Sequence, residues 1–118
     1  MEPNPGQPQL VIPKPGTLNP HPVAVERLEA TVDGRNVTVV ATWTSGVEPC
    51  NILDSVGVKQ DGNELTINVT EGSANRDAMC IEIAVQKATL IELGELAPGD
   101  YTVAAQPGTP PRILFTVA

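Results

Sequence analysis

Between Glu64 and Thr70, Leu65, Ile67 and Val69 alternate with Thr66, Asn68 and Thr70. Successive side chains of an extended chain point to opposite faces, so this period of two marks a strand with one side on a core and the other in water. The pattern recurs in Val25, Leu28, Ala30 and Val32, and in Val37, Val39, Ala41 and Trp43 set against Thr38, Thr42 and Thr44. Ile52, Leu53, Val56 and Val58 form another segment, and Ile81, Ile83 and Val85 restart the alternation. Asp33-Gly34-Arg35-Asn36 and Gln60-Asp61-Gly62-Asn63 supply turn chemistry between segments, and the first of them closes a hairpin. The last strands are expected at 100–105 and 112–117, with a proline-rich turn between them. Twelve prolines and ten glycines leave 73–93 as the longest stretch without either. A helix over 75–87 is the rival reading there, but Ile-x-Ile-x-Val favours a strand. Seven or eight strands at intervals of about 8 to 12 residues predict an all-β antiparallel sandwich.

Three local expectations accompany that pattern. Gly57 inside its strand predicts a bulge or kink. The run Glu71 to Met79 reads as a polar connection and the most exposed loop. Leu90 falls on an even position after Ile81, Ile83 and Val85, and this phase slip predicts a bulge near Gln86 to Thr89 or a change of sheet.

Seven of the twelve prolines fall within residues 1–22. Proline fixes φ and lacks a backbone donor, so this stretch is expected to be an extended tail or linker, with the sandwich domain at 23–118. Leu10-Val11-Ile12 could pack on the domain as an edge segment, and a tether is the role expected of the rest. Pro5-Gly6-Gln7-Pro8 has PxxP spacing, a common isolated match. Met1-Glu2-Pro3-Asn4 has neither a basic nor an apolar region of a secretory signal, so the start reads as a mature chain behind an added methionine. A natural cytosolic start is the competing reading.

Two cysteines allow one internal bridge, Cys50 to Cys80, and the strand layout puts both at one pole. Closing that loop would stabilise the fold by about 3 to 4 kcal/mol. In a cytosolic protein the same residues would be two unpaired thiols. The core has little else that is large, because aromatics are 3% of the chain: Trp43, Tyr101 and Phe115.

Leu96-Ala97-Pro98-Gly99-Asp100-Tyr101 resembles the corner joining the two sheets of immunoglobulin-like and fibronectin-like domains. That resemblance implies that the Tyr101 hydroxyl bonds upstream backbone while its ring fills the core. The cysteines do not sit on the strand pair of a true immunoglobulin domain. A second resemblance rests on Glu48-Pro49-Cys50 and Cys80-Ile81-Glu82. These motifs are similar to those of a class of exported bacterial immunoglobulin-like domains of unassigned function, over roughly residues 23 to 105. It implies secretion, often behind a signal or lipoprotein anchor, and a disulfide; it brings no catalytic residues.

The function classes narrow by chemistry. A net charge of −7 disfavours nucleic acid and anionic membranes. No run approaches the roughly 18 apolar residues of a membrane span. His21 lies between two prolines, Ser45, Ser55 and Ser73 have no nucleophile motif, and no metal or cofactor is expected. Asp61-Gly62-Asn63-Glu64 and Asn75-Arg76-Asp77 offer oxygen ligands but lack the spacing of a calcium loop and read as turns. The expected function is a non-catalytic extracellular or envelope-associated module that binds, adheres or spaces, with an unknown protein or cell-envelope ligand as partner. Its candidate interaction loops hold Glu48, Pro49, Asn75, Arg76 and Asp77. The alternative is a proteinase inhibitor presenting 44–49 or 72–79. A carboxylate hydrolase using Glu48, Asp54 or Glu82 is the third.

Overall fold

The computed structural model describes residues 8–74, 79–81, 83–106 and 111–118. Among them are nine strands: β1 (Gln9–Leu10), β2 (Leu18–Val23), β3 (Arg27–Asp33), β4 (Asn36–Ser45), β5 (Ile52–Asp61), β6 (Glu64–Ser73), β7 (Val85–Glu95), β8 (Gly99–Gln106) and β9 (Arg112–Val117). The fold is an all-β sandwich with one disulfide, as the alternation predicts. One sheet has the order β1-β7-β4-β3. In the other, β5 lies along one edge of β6 while β8 and β2 share the opposite edge, β8 beside Glu64–Asn68 and β2 beside Val69–Ser73. Two pairings, β1 with β7 and β6 with β8, are parallel, so both sheets are mixed rather than purely antiparallel.

The inward-facing positions meet in one core that includes Val37, Val39, Ala41, Trp43, Leu65, Ile67, Val69, Tyr101 and Val103. The β3–β4 and β5–β6 hairpins close at Gly34 and Gly62, whose φ values of 62° and 61° an L side chain rarely adopts. Tyr101 is buried, its hydroxyl donates to the Ala97 carbonyl at 2.6 Å, and its ring stacks on Phe115 at a centroid distance of 5.3 Å.

Several local expectations need correction. The strand expected from Ile81 begins at Val85 instead, and Ile81 and Ile83 are 59% and 52% exposed. No irregularity interrupts Gln86 to Thr89; the register of β7 shifts only opposite Val37 and Thr38, at Leu93. The apparent phase slip has another cause: β7 stays in phase, but two of its inward positions hold the polar residues Lys87 and Thr89. Likewise β6 runs on to Ser73, so Glu71 belongs to the strand and is buried rather than part of an exposed loop. The irregularity in β5 lies between Leu53 and Ser55, and Gly57 pairs regularly with Asn68.

The proline-rich segment joins both sheets, so a boundary at residue 22 runs through β2. After β1, Val11 N–H donates to the Ala88 carbonyl, the Val11 carbonyl accepts from Thr89 Oγ1, and Lys14 N–H donates to Leu53 O on the facing sheet. The chain then crosses the outside of β5 and β6. Thr17 donates to Asp54 Oδ1 through its hydroxyl at 2.7 Å and its N–H at 3.0 Å. At the crossing, a Cβ on Gly72 would collide with Thr17 Oγ1 and lie 2.7 Å from the Leu18 carbonyl, so only glycine leaves room. The prolines of β2 are tolerated because, among the described residues, the strand has a neighbour on one side alone and its register is irregular.

Candidate functional site

Four strand residues and one loop residue build a polar cluster at the pole where β4 and β6 end and β7 begins. Glu71 extends the odd, inward series of Leu65, Ile67 and Val69, and its side chain is 0% exposed. Lys87 lies opposite Trp43 in the β4–β7 ladder and points into the same space. Its Nζ donates to Glu71 Oε2 at 2.8 Å and to the Asn51 carbonyl at 3.1 Å. Ser45 Oγ donates to the same Oε2 at 2.9 Å, and the Trp43 indole N–H does so at 3.3 Å. Oε1 of Glu71 is buried and has no hydrogen-bond partner among the described residues.

The charges of Glu71 and Lys87 cancel, and the pair joins one sheet to the other. Removing two ions from water is costly, and close contact with further hydrogen bonds offsets that cost. Such a cluster contributes specificity to the pairing of the sheets, because a slip of one residue in β6 or β7 would expose one charge and strand the other. A cavity of about 570 Å³ adjoins it, lined by Lys87 and Asn51, by Val11, Ile12 and Lys14 from the crossing segment, and by Leu53 among others.

Cys50 and Cys80 are bonded, with Cα atoms 5.5 Å apart. The bridge, Glu48 and Pro49 occupy the same pole as the cluster. Glu48 is exposed and pairs with Lys14 at 3.3 Å, while the Pro49 carbonyl accepts from Ala74 N–H at 2.8 Å. Asp54 accepts from Thr17, whereas Glu48 pairs with Lys14. The Thr17 hydroxyl, followed by the Thr17 N–H, holds the Asp54 carboxyl below its ordinary range. His21 is exposed, with Nδ1 3.1 Å from the Asn19 carbonyl. Tyr101 lies towards the other pole. Asn75, Arg76, Asp77 and Glu82 lie outside the described residues.

Glu71 and Lys87 escape a sequence reading that treats charge as a sign of solvent. Their signal is phase: each falls on the inward parity of its strand. No group of three or more His, Cys, Asp or Glu side chains among the described residues could hold a metal ion, and no described helix is long and apolar enough to cross a membrane.

A family model described as the ORF11 beta-sandwich domain matches residues 39–109, more than half of the chain. Neither a curated protein nor a solved structure matches the chain.

Proposed function

Because the chain belongs to the ORF11 beta-sandwich domain family, a family named for its architecture, we propose a non-catalytic extracellular or envelope-associated module that binds, adheres or spaces, with spacing foremost. The observation that carries this reading is the path of the chain. It enters at the disulfide pole through β1, where Gln9 lies opposite Lys87, and leaves at the other pole through β9, where Val117 lies opposite Gly99. Both terminal strands are paired lengthwise, so tension between the ends loads their hydrogen bonds together instead of peeling them singly. An oxidising compartment, where a disulfide persists, suits such a module. Bacterial origin and a lipid-anchored or otherwise tethered N-terminus complete the proposal.

Pulling the domain from its two ends, within a tandem array of marker domains, tests the proposal. The expected trace is one cooperative rupture, with the oxidised domain lengthening by roughly 100 Å less than the reduced one because the disulfide withholds a 30-residue separation. Opening without a rupture peak would defeat the spacing role. Turnover of ester, peptide or glycoside substrates that one point substitution abolishes would defeat the non-catalytic one.

A further inference from the structure

We propose that the Cys50–Cys80 bridge is a redox-operated latch: thiol reduction opens the loop 46–51 and exposes Lys87 while the sandwich stays folded. The loop lies beyond the end of β4 and before β5, and none of its residues belongs to the apolar core. It nevertheless forms part of the cavity wall, and its contacts with other described residues include three polar ones besides the disulfide. The Asn51 carbonyl accepts from Lys87 Nζ, the Pro49 carbonyl accepts from Ala74 N–H, and Glu48 pairs with Lys14 of the crossing segment. Asn51 directly follows Cys50, so the disulfide holds that carbonyl over the lysine. Of the two bridged residues Cys80 is exposed and Cys50 half-buried.

The chemistry is a thiol–disulfide exchange with a dithiol. One thiolate of the reductant attacks Sγ of exposed Cys80, the bond to Cys50 breaks, and Cys50 leaves as a thiolate that takes up a proton. The second thiol of the reductant then displaces Cys80, which leaves as a thiol, and the reductant ends as a disulfide. Two electrons and two protons reach the protein. Once untied, the loop keeps polar contacts that include the backbone bond to Ala74, the exposed ion pair with Lys14 and the Asn51–Lys87 hydrogen bond, but it has no residue in the apolar core and is the kind of segment that opens locally. Its departure removes one of the two acceptors of Lys87 and the wall beside it.

The chain has three lysines, Lys14, Lys59 and Lys87, and only Lys87 is buried, at 4% exposure. Acetylation with an amine-reactive ester, mapped by peptide mass, therefore carries its own internal standards. In the oxidised protein Lys87 is expected to react far more slowly than the other two. After dithiothreitol, or in the Cys50→Ser/Cys80→Ser double variant without reagent, its rate should rise about tenfold or more, as for a segment released into local opening. Amide exchange along β4 and β6 should remain protected under the same conditions. Lys87 staying shielded after reduction would overturn the latch. So would loss of β4 and β6 protection together with that of Lys87, because the bridge would then hold the whole fold and not a loop.

Discussion

At the scale of single residues, Glu71 and Lys87 are the least negotiable part of the interior. Each neutralises the other in a buried site, so removing one leaves a bare charge. Lys87→Met is expected to cost about 3 to 5 kcal/mol, read from the urea midpoint, whereas the double change Glu71→Leu/Lys87→Met should cost much less. Additive losses would mean that the two side chains do not act as a pair. Asp54 makes a different prediction, in pH. Its carboxyl is held below the ordinary range by Thr17, so the stability it contributes is fully present above the unfolded value of about 3.9 and is lost as pH falls through the lower folded value. Asp54→Asn should remove that part of the acid sensitivity, seen as a shallower fall of the urea midpoint below about pH 4. A series of midpoints for both proteins checks it. Parity made Glu71 and Lys87 readable, but their chemistry concealed them: alternation shows which face a residue takes, not whether a charge on the inner face has a partner.

At the scale of elements, the strands with clean alternation were predictable because each carries its own two-residue period, as β4 and β6 do. The crossing segment was not. Proline argues against internal strands, but β2 has one neighbour and β1 is two residues long, so few backbone donors are demanded of either. Their place depends on features elsewhere in the chain, namely Asp54 as an acceptor and Gly72 as a gap. Gly72→Ala tests that dependence. Its Cβ would meet Thr17 Oγ1 and the Leu18 carbonyl, backbone that cannot swing aside, so the segment must lift from β6. A loss of about 1 to 3 kcal/mol is expected, typical of overpacking, with faster amide exchange in β2 and little change in the β3–β4 hairpin. Unchanged exchange in β2 would show that the crossing lies elsewhere.

At the scale of the whole molecule, the sequence reading reached the sandwich and its disulfide but not the parallel pairings. Face patterns report burial; which strand lies next to which depends on connections between distant segments, and β8 beside β6 is such a case. The disulfide spans that gap between local and global information, because it ties the start of β5 to the approach to β7. Its sequence separation of 30 corresponds, on the chain-entropy model, to about 3 to 4 kcal/mol taken from the freedom of the unfolded chain. Against a typical total of about 5 to 15 kcal/mol, the Cys50→Ser/Cys80→Ser variant should remain folded at room temperature. It should melt roughly 10 to 20 °C lower. A thermal scan at matched concentration measures the shift. A drop of only a few degrees would mean that the Glu71–Lys87 contact and the crossing segment already bring the two bridged segments together in the unfolded ensemble. A variant that does not fold would mean that the few aromatics and the aliphatic core cannot carry the sandwich without the bridge.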